Sequence, residues 1–237
     1  MPSTGHVELS REIEVRRSAD YPSDDLGFLQ RTHPLRGRPL GQLVYVADSV
    51  MQPMRTPGFG MHPHRNLEVI SYVVDGALTH RDSAGNVGEV PAGAFQRITA
   101  GTGIEHDESN RTGAALRMFQ IWFAPTVEDV EPSYAVIETA GRLRADAFTS
   151  VIAAGSADGS LDINADASIS VGCFADGRSI EVLVESGRAA LLYVVDGGAS
   201  WDGGSLDARD QLRISGPAEL TLRSKGQTEL LLIESAT

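Results

Sequence analysis

The pentapeptide Tyr72-Val-Val-Asp-Gly76 recurs as Tyr193-Val-Val-Asp-Gly197, 121 residues further along a chain of 237. A repeat constrains the fold more than composition does, because each copy must bury the same face in the same kind of unit. The context repeats as well. An apolar or alternating run precedes each copy, Leu67 to Ser71 and Arg188 to Leu192. A Gly/Asp-rich turn follows each, Asp82-Ser-Ala-Gly-Asn86 and Asp202-Gly-Gly-Ser205. A Gln-containing strand comes next, Phe95-Gln-Arg-Ile98 and Gln211-Leu-Arg-Ile214. The chain therefore reads as two related halves, 1–128 and 129–237, each of ordinary domain size.

Both halves read as β. Short runs rich in Val, Ile, Leu and aromatics are separated by Gly, Pro, Asn or Asp. They fall at Gln42–Ala47, Val69–Val74, Gly93–Thr99, Leu116–Phe123, Ile169–Phe174, Ile180–Val184, Ala190–Val195, Gln211–Ile214, Glu219–Leu222 and Glu229–Glu234. Only Val127–Glu131 and Arg142–Ala147 hint at short helical turns. The stretch Ala124–Ser133, with Pro125 and Pro132, reads as a linker. Many short strands at regular spacing favour barrels or sandwiches over a βαβ sheet.

The net charge is −12, from 20 basic and 32 acidic residues. Such a chain repels phosphate backbones and anionic membrane surfaces, so direct nucleic-acid or membrane binding is not expected. Lys225 is the only lysine, which disfavours Schiff-base chemistry. Cys173 is the only cysteine, which excludes an intramolecular disulfide and Cys-rich metal centres. With no signal-peptide pattern and no long apolar span, a reducing, cytoplasmic location is expected.

The six histidines all lie at or before residue 106. His62-Pro63-His64 is an H-x-H pair, and in extended chain residues i and i+2 share a face about 7 Å apart. Pro63 cannot donate a ladder hydrogen bond, so this segment belongs at an edge or bulge. His106-Asp107-Glu108 repeats the spacing as H-x-E. Together the pairs offer three imidazoles and a carboxylate, a set suited to Fe, Ni, Cu, Mn or Zn and too nitrogen-rich for Mg or Ca. Glu68, four residues beyond His64, competes for the carboxylate role. Gln96 is a poor ligand. Asp107 is expected to face away as a solvated or turn carboxylate, His80 to be structural or to support the ligands, and His6 and His33 to lie on the surface. In the second half, Glu181 and Glu185 read as solvent-facing strand residues and Cys173 as buried packing.

These residues carry a family pattern. Gly58-x3-His62-x-His64-x3-Glu68 and Gly85-x5-Pro91-x-Gly93-x2-Gln96 resemble the two cupin motifs, except that Gln96 stands where a histidine ligand is usual. That departure, together with Gly60-Met-His-Pro-His-Arg65, His80-Arg-Asp-Ser-x-Gly85 and Phe95-Gln-x3-Ala-Gly-x-Gly-Ile-x-His106-x-Glu108, resembles the pirin family, and bacterial pirin-like proteins in particular. The resemblance implies an all-β, two-domain cupin (bicupin) of two barrels or jelly rolls, the C-terminal one degenerate and without metal. Offset by the repeat, His62 and His64 fall on Leu183 and Glu185, which is consistent with that loss. The resemblance further implies one divalent transition metal, usually iron, with Ni, Cu, Mn, Co or Zn as alternatives. Its ligands would be His62, His64, His106 and Glu108, which favours Glu108 over Glu68. It implies quercetin 2,3-dioxygenase-type chemistry on a flavonol-like aromatic and O2, with Glu108 as a possible proton acceptor. The alternative it carries is a metal-dependent regulator acting through protein partners. Asp107, where a small hydroxyl is usual, and Asn66, after His-Pro-His-Arg, depart from the pattern and bear on metal and substrate preference.

Overall fold

The computed structural model describes residues 13–53, 59–156 and 159–237. Three sheets carry nearly all of it. The first is a seven-stranded sheet in the order Ser133–Glu138, Ala94–Thr99, Glu68–Asp75, Leu116–Phe123, Leu43–Met51, Leu29–Leu35, Ser23–Asp25. The second is a four-stranded sheet ordered His62–His64, Ile104–Ser109, Ala77–Asp82, Val87–Pro91. The third belongs to the second half and is built around the long strands Arg188–Trp201 and Ala218–Ala236. Strand pairs are antiparallel, except Ala147–Ala153 with Leu161–Asp162.

The alternation of side chains sorts the layers. Along Glu68–Asp75, Val73 packs into one core cluster with Leu78, Val90 and Met118, and Val69 into another with Ile98 and Ile104. These join the seven-stranded and four-stranded sheets. The intervening residues Ile70 and Tyr72 face the other way and pack with Phe95, Phe119, Leu191, Tyr193, Leu231 and Ile233. The back of the first sheet therefore shares one core with the second half. Each large side chain buried there contributes about 1.5–3 kcal/mol. A separate cluster, including Ile180, Leu192, Leu212 and Leu232, fills the interior of the second half.

Both copies of the repeat take the same shape. Gly76 and Gly197 have φ of +81° and +76°, and the preceding Asp75 and Asp196 each accept the following glycine N–H at 2.9 Å. A Cβ at Gly76 would stand 2.7 Å from the Ala115 carbonyl oxygen, so conformation and space both call for glycine.

Edge strands cross between the halves. Ile13–Arg16 pairs with Gln211–Ser215 in the third sheet, whereas Ser133–Glu138 pairs with Ala94–Thr99 in the first.

Three expectations need correction. Val127–Glu131 and Arg142–Ala147 contain no helix: Asp129 (φ +56°) and Asp146 (φ +54°) take left-handed backbone that interrupts any helical run, and Ala147 opens a strand. The candidates Glu219–Leu222 and Glu229–Glu234 are parts of one strand, because Gly226 lets Ala218–Ala236 pass without a break. His33 is buried (3% exposed), with its Nε2 2.8 Å from Asp24. His6 lies outside the described residues.

Candidate metal centre

The strand His62–His64 is three residues long and sits at the edge of its sheet, where the missing N–H of Pro63 is tolerated. His62 stands directly opposite His106, and on the next strand Asp82 lies opposite His106 and His80 opposite Glu108. Partners opposite one another share a face, so one side of the small sheet presents His62, His64, His80, Asp82, His106 and Glu108. One ligand atom from each of His62, His64 and His106 lies within 4.8 Å of the others. The same spacing holds for His80, His106 and Glu108.

The imidazoles are prepared for a cation. Nδ1 of His62 lies 3.0 Å from the Gly60 carbonyl oxygen, which fixes its proton there and leaves Nε2 as the lone-pair atom. Burial, then the neighbouring His106 and His62, lowers the pKa of His64 to about 4. Burial, then His62 and His80, lowers that of His106 to about 3. Both rings are therefore neutral donors at physiological pH. His106 is fully buried, and neither of its nitrogens has a hydrogen-bond partner among the described residues. An orphaned buried polar group costs about 1–3 kcal/mol. An ion held by the three rings removes that cost, so the residues fit a nitrogen-preferring divalent transition metal.

Glu108 is buried and held by three neutral donors. Ser71 Oγ donates to its Oε1 at 2.9 Å, Gln96 Nε2 donates to the same oxygen, and Gln120 Nε2 donates to Oε2. Burial drives its pKa up, and the hydrogen bonds from Ser71 and Gln96 oppose the rise. Spacing in the sequence does not single out Ser71 or Gln120, and Gln96, a poor ligand, serves here as a hydrogen-bond donor. The available signal was a polar side chain at an inward position of an apolar strand, as in Met118-Phe-Gln-Ile-Trp122.

The other candidates fall elsewhere. Glu68 faces away from the histidines, because Asn66 (φ +47°) turns the chain between the two strands and resets the alternation that would have aligned Glu68 with His64. It accepts from Thr99 Oγ1 at 2.9 Å, and burial lifts its pKa to about 7. Asp107 does point away from His106 and Glu108, but it is buried and not solvated, with Oδ2 3.4 Å from Arg81 Nε. His80 stacks on Tyr134 (centroids 4.3 Å, 9°) and its Nε2 lies 3.1 Å from Asp82 Oδ2. Aromatic rings border the trio: Trp122 lies 5.5 Å from His64 and Phe59 6.2 Å from His62. In the second half Glu181, Leu183 and Glu185 are exposed, and Cys173 packs partly buried against the shared core.

Known proteins resemble this chain in sequence and in fold. Residues 29–123 match the profile described as Pirin, and residues 151–235 that of the quercetinase C-terminal cupin domain. The chain is 32% identical over 182 residues to the quercetin 2,3-dioxygenase of Escherichia coli K12, covering 75% of this chain and 76% of that one. It is 33% identical over 180 residues to a pirin-like protein of Caulobacter vibrioides, covering 76% and 78%. Among solved structures, a bacterial pirin from Escherichia coli in complex with nickel(II) superposes with a TM-score of 0.86 at 26% identity, covering 95% of this chain and 99% of that one. The fold is thus that of two cupin domains.

Proposed function

The chain belongs to the pirin family, and on that premise we propose that it is a metal-dependent dioxygenase that opens the central ring of a flavonol such as quercetin with O2 and releases carbon monoxide. The observation that carries the proposal is the convergence of the His62, His64 and His106 nitrogens within 4.8 Å, beside the buried Glu108. In this reading His62, His64, His106 and Glu108 hold one divalent ion, with iron the first choice and Ni, Cu, Mn, Co or Zn as alternatives. A bound ion would supply Lewis acidity that lowers the pKa of a substrate hydroxyl and orients it toward O2.

The residues do the rest. When it is only loosely bound to the ion, Glu108 accepts the flavonol 3-hydroxyl proton at Oε2, the oxygen that carries only one donor, Gln120. Trp122 and Phe59, with Tyr45 4.5 Å from Trp122, offer apolar faces against which a planar aromatic can lie and exclude water. Residues 1–128 carry this chemistry, and residues 129–237 serve as a metal-free cupin that covers the back of the first sheet.

Reconstitution with Fe, Ni, Cu, Mn and Co under anaerobic conditions, then admission of O2 with quercetin, tests the proposal through oxygen uptake and loss of flavonol absorbance. No turnover with any metal overturns the enzyme. Full activity in a His62→Ala, His106→Ala double variant overturns the site.

A further inference from the structure

The repeat identifies which side chains around Glu108 are special to the first half. Ser71 corresponds to Leu192 at the offset of 121. In the first sheet Ser71 lies opposite Gln96 on one neighbour and Gln120 on the other. In the second half Leu192 lies opposite Leu212 on one neighbour and Leu232 on the other. The polar row Gln96–Ser71–Gln120 is thus replaced, position for position, by Leu212–Leu192–Leu232 in the half without histidines. Register also shows that Gln211 is equivalent to Phe95 and not to Gln96, so the two glutamines that look alike in sequence face opposite sides.

That row has one evident client. Its three donors all end on Glu108, and all three are neutral. A lysine or arginine in their place would cancel the carboxylate charge. Neutral donors favour the anion and leave its full negative charge for a cation. The Gln96 amide is itself oriented: its Oε1 accepts from the Tyr134 hydroxyl at 3.4 Å, which directs Nε2 to Glu108. Tyr134 lies on Ser133–Glu138, the strand that reaches the first sheet from beyond the linker.

We infer that Gln96 and Gln120 are positioning residues that hold the Glu108 carboxylate in place for the metal centre without setting a positive charge beside it, with Tyr134 setting the orientation of the Gln96 amide. This rests on reading the His62, His64 and His106 cluster as a metal site, and it is independent of the substrate.

Co(II) titration against a chromophoric chelator, with the visible ligand-field spectrum recorded, tests it on the full chain. Gln120→Leu and Gln96→Leu are each expected to weaken Co(II) binding about 10–100-fold and to alter the spectrum. Leucine fills the equivalent places in the second half, so the frame accommodates it. Tyr134→Phe keeps the ring on His80 and should weaken binding in the same sense but less. The deciding measurement is a double-mutant cycle. In a Glu108→Gln background, Gln120→Leu should cost no further affinity. Equal losses in both backgrounds, or unchanged affinity and spectrum in both leucine variants, overturn the inference. Loss of Co(II) affinity in the variants of a wild type that binds Co(II) yet never turns over quercetin would sink the proposed activity and leave this inference standing.

Discussion

The hydroxyl of Tyr193 donates to Oδ2 of Asp48 at 3.0 Å, across the seam between the two halves. The first copy of the repeat does the converse: the Tyr72 hydroxyl donates to Oε1 of Glu229 at 2.5 Å. Each tyrosine thus reaches a carboxylate of the other half, and burial first, then that carboxylate, raises both phenol pKa values. Asp48 also accepts from Arg117 at 3.1 and 2.8 Å, while Arg117 donates to the Val195 carbonyl oxygen.

Asp48→Ala should therefore be among the most damaging substitutions away from the metal centre. It leaves the mostly buried Arg117 without its partner, at a cost of about 3 kcal/mol. Tyr193→Phe removes one hydrogen bond and should cost about 1 kcal/mol. Urea titration followed by circular dichroism gives both values. An Asp48→Ala protein as stable as wild type contradicts the account of the seam.

Metal stoichiometry should separate ligands from neighbours. His62→Ala and His106→Ala should each abolish stable loading with Ni(II), whereas His80→Ala should still bind one ion per chain, more weakly, because His80 lies beside the trio without belonging to it. Elemental analysis after reconstitution and desalting reads this directly. Full loading of His106→Ala would be fatal to the assignment.

Acid should loosen the attachment of the segment around Ser18 to the second half. Burial works to raise the pKa of Asp210, but the Ser18 N–H at 2.9 Å, the Arg17 guanidinium at 2.7 Å and the Asp207 N–H together hold it below the usual carboxylate value. A depressed folded pKa means stability that is present above the unfolded value of about 3.9 and lost as pH falls through the folded value. Asp210→Asn should be less stable than wild type at pH 7, with the gap closing below about pH 4. Chemical denaturation midpoints between pH 7 and 3 measure this, and a gap that stays constant or widens in acid refutes it.

Truncation distinguishes two views of the first half. A fragment of residues 1–130 lacks Ser133–Glu138 and exposes the apolar back of its sheet, including Ile70, Phe119 and Phe123. It should aggregate, and a soluble fragment that binds metal would show that the seam is dispensable.

Much of this was legible in the sequence, for identifiable reasons. The apolar run marks Leu116–Phe123 with its observed bounds, and most other core strands to within a few residues, because alternation is a local signal. His62, His64 and His106 were legible because H-x-H and H-x-E place ligands on one face without knowledge of the partner strand. Glu68 misled because its spacing from His64 assumed one unbroken strand, and a single left-handed residue, Asn66, removed that premise. The burial of His33 and Asp107 depends on layers that close from distant parts of the chain. The hold of Gln96 and Gln120 on Glu108 depends on cross-strand register, which no local pattern specifies.

The exchange of edge strands sets an order on synthesis. Ile13–Arg16 leaves the ribosome well before its partner Gln211–Ser215, which follows about two hundred residues later. The first sheet, by contrast, gains its last strand as soon as Glu138 emerges. The first sheet can thus pair all its strands while Ile13–Arg16 still waits for Gln211–Ser215, so the joint between the halves closes later than the sheet that backs the histidines.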